Sequence, residues 1–461
     1  MPQRPRSLSL LLRELKKDRL LAVMAESGRL AAKDRYMHWD ELRRRPAPEG
    51  YSQEERWLAL KLRRQAALRS IPLKDVDGKP FEFAVPDSLS EQLHHIDCGV
   101  GTTFGLPPAV TNAETRNRYL VNTLMEEAIT SSQLEGAVTA YGVARDMLRS
   151  GRKPADKSER MILNNYLTMQ RIIELRSEKL TPGLVFELHR LVTRNTLDAA
   201  DAAGRFRRAD ENVRVVDEIE GEEFHVPPSA TELPQRMAAM CAFANGESPG
   251  FFIHPAVRAM ILHFWLAYDH PFVDGNGRTA RALFYWSMLH RGFWLFEFVS
   301  ISSIVLRAPV KYATAFLHTE TDDNDLTYFI LYHAGVIQRA VENLHAYIED
   351  KKTALRESEH HLRRLVQLNH RQKALVLHAL KTPGKEYTIE GHRMSHDVVY
   401  QTARTDLLAL ADEGLLVTRK QGKTLVFLAS NDLYRKLESE EVPDQTLPLP
   451  FGAKEKSRKD P

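Results

Sequence analysis

His270-Pro271-Phe272-Val273-Asp274-Gly275-Asn276-Gly277-Arg278-Thr279-Ala280-Arg281 is a glycine-rich turn that opens directly into a helix. Gly275 and Gly277 flank Asn276 and permit positive φ, so backbone N–H groups can converge. Ala282, Leu283, Tyr285, Trp286 and Leu289 then recur at helical spacing. The partial positive charge of a helix start adds to the converging amides and makes an anion nest suited to phosphates. Arg278 and Arg281 lie three residues apart, on neighbouring parts of the first turns, where guanidinium groups can fork onto phosphate oxygens. Asp274 is a hard oxygen ligand beside that nest, the type Mg²⁺ takes when it bridges phosphates. His270, four residues ahead, can act as a general base at neutral pH. A bare Gly-Asn-Gly turn would be an ordinary helix N-terminus with solvated arginines. The register of His, Phe, Asp, two glycines and two arginines separates this stretch from that case.

The surroundings read mainly as helix. Downstream of the turn, helices are expected over 277–291, 308–318 and 325–350, and upstream over 231–245 and 254–268. His254 and His263 read as packing or capping residues on the last of these. Residues 7–70 read as helices broken by Pro46-Ala47-Pro48-Glu49-Gly50, with Trp39 and Trp57 as packing anchors. Residues 71–112 look less regular, with a turn at Asp77-Gly78. A long helical pattern covers 114–152, and two helices split at Thr181-Pro182-Gly183 cover 155–200. Between the helices, Val213-Arg214-Val215-Val216 alternates and is β-branched, Glu220-Gly221-Glu222 turns the chain, and Phe224-His225-Val226 runs into Pro227-Pro228. That pattern predicts a β-hairpin in an otherwise helical stretch.

The whole chain bounds the problem loosely. A length of 461 residues predicts two to four domains, and 43% hydrophobic with 27% charged residues is ordinary for a globular protein. The net charge of +3 is uninformative, but residues 1–70 hold 17 Lys and Arg against 9 Asp and Glu. A solvated, Arg-rich helical face accounts for that excess, with contact to nucleic acid or an acidic partner as the sharper alternative. Two cysteines far apart, Cys98 and Cys241, make neither a disulfide framework nor a thiolate zinc site and fit a reducing, cytoplasmic setting. The apolar run after Arg4 and Arg6 is interrupted by Arg13, Glu14, Lys16 and Lys17, too soon for a secretory core. With no run of eighteen apolar residues, no membrane contact is expected.

His-x-Phe-x-Asp-Gly-Asn-Gly-Arg-x-x-Arg resembles the catalytic motif of the Fic family at every defining position. The resemblance implies a helical-bundle core and transfer of AMP from ATP to a Ser, Thr or Tyr hydroxyl of a target protein, or of the chain itself. By that likeness His270 deprotonates the hydroxyl, Asp274 holds Mg²⁺, and Asn276 with the Gly275 and Gly277 amides holds the α- and β-phosphate region. Arg278 and Arg281 neutralise the distal phosphates, and Phe272 anchors the loop. Tyr312 is a loose match to an aromatic near the adenine, with core packing equally open. The hairpin occupies the position of the family's flap, so Val213, Val215, Phe224 and Val226 are expected to pair with a target segment by strand addition.

Ser131-Ser132-Gln133-Leu134-Glu135-Gly136 resembles the family's inhibitory Ser/Thr-x-x-x-Glu-Gly. Ser131, Glu135 and Gly136 precede the catalytic loop, which implies the class that carries its inhibitory helix on the N-terminal side. A carboxylate packed near the nest can pair with Arg281, remove a γ-phosphate partner and repel the nucleotide, with Gly136 permitting close approach. In some relatives the same Glu supports removal of AMP, so Glu135 could serve both directions.

Beyond a charged stretch at 351–370, residues 371–381 and 396–413 read as helices. Leu415-Leu416-Val417 and Thr424-Leu425-Val426-Phe427 read as two strands around Gln421-Gly422-Lys423. This resembles a winged helix–turn–helix of the kind that follows Fic cores in bacterial relatives. Its charge is modest, 9 Lys and Arg against 6 Asp and Glu over 370–430, so DNA binding, protein contact and homodimerisation all stay open. The expected organisation is a helical region at 1–112, a catalytic core with inhibitory helix and flap at 113–350, a small α+β module at 365–435 and a disordered tail at 439–461. The alternative to an autoinhibited AMP-transferase is a DNA-binding regulator whose core senses nucleotide.

Overall fold

The computed structural model describes residues 2–30, 35–101, 113–216, 223–364, 368–382, 384–421, 424–430 and 432–438. The chain is mainly helical and divides into two units, one of residues 1–104 and 120–342, the other of 105–119 and 343–461.

In the first unit, α1 (Leu8–Glu14), α2 (Lys17–Ala25) and α3 (Gln53–Gln65) enclose a small apolar core around Trp39, Trp57 and Leu42. Ser52 starts α3 through a capping box with Glu55, which satisfies two free N–H groups of the first turn. A hairpin follows: β1 (Arg69–Lys74) pairs antiparallel with β2 (Pro80–Phe83). Ile71, Leu73, Phe81 and Phe83 point inward and are buried. This region is more regular than its sequence suggested, because the two apolar alternations are only two pairs long. Asp87–Gly101 forms α4.

The long helical pattern of 114–152 is two helices, α5 (Ala113–Gln133) and α6 (Tyr141–Ser150). Gly136 breaks it by taking φ +86°, a conformation that only glycine adopts without strain. α7 (Lys157–Glu174) is capped by Asp156, and α8 (Pro182–Val192) by Thr181 with proline in its first turn. The flap strands are short: β3 is Val215–Val216 and β4 is Glu223–His225, paired through Val215 with His225 and Val216 with Glu223. Val213 and Val226 fall outside the strands, and the turn at 220–222 lies outside the described residues.

The centre of the unit is α9 (Leu233–Ala244), α10 (Pro255–Asp269) and α11 (Asn276–His290). α10 and α11 are buried almost all round; Phe264, Trp265, Leu283, Phe284, Tyr285 and Trp286 are at most 1% exposed. A helix apolar on every face needs neighbours on every face. α7 and α8 pack on α11, and α9 packs on α10. α12 (Pro309–Thr321) and α13 (Thr327–Arg364) complete the order. The charged stretch after Asp350 does not end α13, which continues to Arg364. Helix formation there follows propensity rather than apolar periodicity.

The second unit contains α14 (His370–Lys381), β5 (Tyr387–Thr388), α15 (Ile389–His396), α16 (Tyr400–Asp412), β6 (Leu416–Gln421), β7 (Thr424–Ala429) and α17 (Leu433–Glu438). The sheet order is β5-β7-β6, antiparallel throughout. The expected helix 396–413 begins later, at Tyr400, because Asp397 in a left-handed conformation separates it from α15. Leu375, Val376, Leu407, Leu410, Leu416 and Phe427 form its core. The tail from 439 and Gly422-Lys423 of the expected turn lie outside the described residues.

Candidate active site

α10 ends at His270, whose φ of +44° turns the chain sharply out of the helix, with its N–H still bonded to the Leu266 carbonyl. The turn is over-determined. Arg207 donates from Nε to the His270 carbonyl at 2.9 Å and from Nη2 to the Pro228 carbonyl, and its backbone N–H donates to the Pro271 carbonyl at 2.9 Å. Arg207 is buried, so these carbonyls replace the water its charge has lost.

The His270 ring donates from Nδ1 to the Ala267 carbonyl at 3.2 Å. A carbonyl only accepts, so the proton sits on Nδ1 and the lone pair on Nε2. Burial, aided by the nearby charges of His225 and Arg207, pulls the His270 pKa down to about 4. The ring is therefore neutral and able to accept a proton through Nε2 at neutral pH.

Phe272 is fully buried and lies 3.7 Å, ring centre to ring centre, over the His189 imidazole. Asn276 closes the loop on the same residue: its side-chain oxygen accepts from the Phe272 N–H at 3.0 Å and its amide donates to the Phe272 carbonyl at 2.8 Å. The Asn276 side chain thus braces the turn, and its backbone N–H is among the first amides of α11. Gly275 takes φ +83°, and a methyl there would meet the Thr193 side chain at 2.7 Å. The first accepted helical bond runs from the Thr279 N–H to the Gly275 carbonyl at 2.9 Å. By helix geometry the N–H groups of Asn276, Gly277 and Arg278 precede any intrahelical acceptor.

Beneath the loop, His189 of α8 accepts from the Gly204 N–H on Nδ1 at 2.9 Å, so it carries its proton on Nε2 and donates to the Asp274 carbonyl at 2.9 Å. Burial keeps this imidazole neutral, its pKa lowered to about 4. His189 and Arg207 did not stand out in the sequence. Both act on backbone carbonyls, which no side-chain motif records; Thr181-Pro182 marks the helix of His189 but not its function.

The two arginines differ. Arg278 is fully buried and turned back under the loop, donating to the Val192 carbonyl at 3.2 Å and to Asp274 Oδ1 at 3.3 Å, with its Nε unpartnered. In this arrangement its described hydrogen bonds go to protein acceptors. Arg281, one turn on, faces α5: Nε donates to the Ser131 hydroxyl at 2.8 Å, and Nη2 to the Ser131 carbonyl and Glu135 Oε1, both at 2.9 Å. The Glu135 carboxylate also lies directly on Gly277, where a Cβ would collide with it. Gly277, rather than Gly136, permits the close approach; an added Cβ on Gly136 would meet nothing within 4 Å, and its requirement is the left-handed turn. Burial opposes ionisation of Glu135, but Arg281 and Arg278 outweigh it and hold the carboxyl below its usual range. The pairing also offsets the unfavourable placement of a carboxylate at the C-terminal end of α5.

Asp274 is the exposed member, its side chain 47% accessible beside the first turn of α11. Among the described residues no three His, Cys, Asp or Glu side chains converge on one point. Tyr312 of α12 is half-buried; its hydroxyl meets His263 Nε2 at 2.8 Å, and His263 Nδ1 meets His333 Nε2 at 2.8 Å.

The Fic/DOC family pattern matches residues 179–288, which run from α8 through the loop to the end of α11. The chain carries a Fic domain. A protein adenylyltransferase Fic of Nematostella vectensis is 25% identical over 228 residues, covering 49% of this chain and 49% of that one. A protein of the same name from Culex quinquefasciatus is 36% identical over 87 residues, 17% of each chain. The chain therefore spans about half, or less, of the length of these relatives. A Fic family protein from Desulfovibrio desulfuricans has a similar fold around the Fic domain, with a TM-score of 0.50 and 18% identity over 76% of this chain and 97% of that one. No described helix is long and apolar enough to cross a membrane.

Proposed function

We propose that the Fic domain transfers AMP from ATP to a hydroxyl side chain of a target protein, and that Glu135 holds this activity down. The observation that carries the reading is the juxtaposition of a free His270 Nε2 with an anion nest whose place is taken by a carboxylate. His270 accepts the hydroxyl proton as the oxygen attacks the α-phosphorus; the bond to the β-phosphate breaks and pyrophosphate leaves. Positioning and charge neutralisation supply most of such catalysis.

The N–H groups at the start of α11 receive the phosphates, and Arg281 neutralises them once it is released from Glu135. Arg278 acts from beneath, as a buried charge that holds Asp274 and the α8 end together. Asp274 fits a Mg²⁺ ion that takes its remaining ligands from phosphate oxygens and water, and such an ion would add charge neutralisation at the phosphates. Tyr312, held through its hydroxyl, offers a ring edge to an adenine. With Glu135 in place, a γ-phosphate meets a carboxylate where it needs Arg281, so like-charge repulsion replaces attraction.

Labelled ATP tests the chemistry. Incorporation from α-labelled but not γ-labelled ATP is expected; transfer of the γ-label, or of neither by any variant, overturns the reading. In the reverse direction the same carboxylate would orient a water that attacks the AMP phosphorus, breaking the bond to the side-chain oxygen and releasing AMP and the free hydroxyl.

A second reading concerns 365–435. α15 and α16, joined at Asp397 and followed by the β6–β7 pair, support a winged helix–turn–helix with α16 as the recognition helix. Val399 and Tyr400, at the start of α16, are 69% and 53% exposed. A salt-titrated gel shift with this protein separates DNA binding, which weakens steeply with salt, from protein contact or dimerisation.

A further inference from the structure

His225 lies on β4 of the flap, yet its side chain turns away from the free edge. Nδ1 lies 2.8 Å from Glu320 Oε2 of α12, and Nε2 lies 2.7 Å from the Tyr268 carbonyl of α10. A carboxylate and a carbonyl only accept hydrogen bonds, so satisfying both requires a proton on each ring nitrogen. Its side chain is 9% exposed, which makes an unmade bond costly. The ring also rests on Tyr268, 4.6 Å between centres.

We infer that His225 is a doubly protonated clamp that positions the flap against the segment leading into His270. The carbonyl it holds belongs to the residue two before His270, on the last turn of α10. The flap strand and the catalytic base therefore share one anchor. Farther along the same segment, Arg207 bonds both the His270 carbonyl and the Pro228 carbonyl just beyond the flap. Both anchors lie at the C-terminal end of the hairpin's return strand, one at His225 and one at Pro228. Held at that end, β4 would fix where a target segment adding to its edge lies relative to His270. This role for the target rests on the function proposed above; the clamp itself does not.

The groups facing the ring decide its titration. Glu320 comes from α12, and Asp269 from α10 where it is paired with Arg236 of α9 at 2.6 Å; His270 follows at the end of α10. Burial disfavours the imidazolium, but the bonds to Glu320 and Tyr268 and the charge of Asp269 outweigh it and raise the pKa above 6.5. A raised pKa means that the clamp's contribution is fully present below the unfolded value and is lost as pH rises through the folded one. The same positive charge helps keep His270 unprotonated, so clamp and base are set in their working forms together.

The test uses the full chain with ¹⁵N-labelled histidine, His225 being assigned by His225→Asn. Imidazolium shifts on both ring nitrogens at pH 6.5, and a lower titration midpoint in Glu320→Gln, are expected. Amide exchange of residues 223–226 should be slow at that pH and at least about tenfold faster in either variant, the factor set by losing one charge-assisted hydrogen bond. A neutral ring at pH 6.5, or unchanged exchange in His225→Asn, overturns the clamp. On a Glu135→Gly background, His225→Asn should lower AMP transfer onto the chain itself while leaving the KM for ATP unaltered. Unchanged transfer there removes the positioning role. Absence of transfer in Glu135→Gly itself counts against the proposed function, while the ring and exchange data still decide the clamp.

Discussion

The catalytic loop and the flap lie on either side of His270 and are built in opposite ways. In the loop, Phe272, Asn276, Arg278 and Arg281 are all at most 2% exposed, and the three polar side chains bond to backbone, carboxylate or hydroxyl groups, with Arg278 Nε alone among their buried polar atoms unpartnered. In the flap, Val216 and Val226 are 48% and 49% exposed, and among the described residues two pairs are matched, with a shift of register between them. The loop's geometry is over-determined by packing, as phosphate chemistry requires, where an ångström of slack is costly. Among the described residues no third strand joins β3 and β4, the condition for adding a strand from another protein.

This contrast can be broken by substitution. The largest effect is expected at His270. His270→Ala should lower AMP transfer by about 10²–10⁴-fold, the usual contribution of a positioned base. Its thermal midpoint should stay near wild type, because the ring makes one described hydrogen bond. Since the His270 pKa is lowered to about 4, the neutral form persists down to that region. Transfer should therefore show no His270-dependent loss between pH 8 and 6 and should fall as pH approaches 4. A base-like limb near 6.5 would place the ring in solvent. Phe272→Ala should come next, destabilising the domain by about 3–5 kcal/mol in denaturant unfolding, the range for deleting a fully buried aromatic. A loss below about 1 kcal/mol would mean that the loop is held by its hydrogen bonds alone. The smallest stability change belongs to the flap. Val226→Asp should alter stability by less than about 0.5 kcal/mol, as for an exposed site, while weakening modification of a target. Equal damage to stability and modification would erase the difference between the two regions.

How much of this was legible depended on whether chemistry lay in contiguous side chains. The loop was readable because its base, its carboxylate, its glycines and its arginines follow one another at fixed spacing. The resemblance of Ser131 to Gly136 also pointed at Arg281, although the approach is made by Gly277 and the turn by Gly136. What the sequence hid were braces that act through backbone. Asn276 closes on Phe272, His189 on Asp274, and Arg207 on His270; a carbonyl has no residue signature. The β1–β2 hairpin was missed for another reason. Ile71 with Leu73, and Phe81 with Phe83, give too few alternations to stand out, although Phe81 packs 4.9 Å from Tyr268 on the helix that carries the base. The break between α15 and α16 rests on a single left-handed Asp397, which no periodicity signals.

The Glu135 carboxylate lies against Gly277 at the start of α11, in the place a phosphate would take. The most direct measurement compares AMP incorporation from α-labelled ATP by the wild-type chain, Glu135→Gly, and Glu135→Gly combined with His270→Ala. Low incorporation by the first, a rise of about tenfold or more in the second, and loss in the third are predicted, a tenfold rise being about 1.4 kcal/mol of relieved opposition. Equal incorporation by the wild type and Glu135→Gly would contradict inhibition by Glu135.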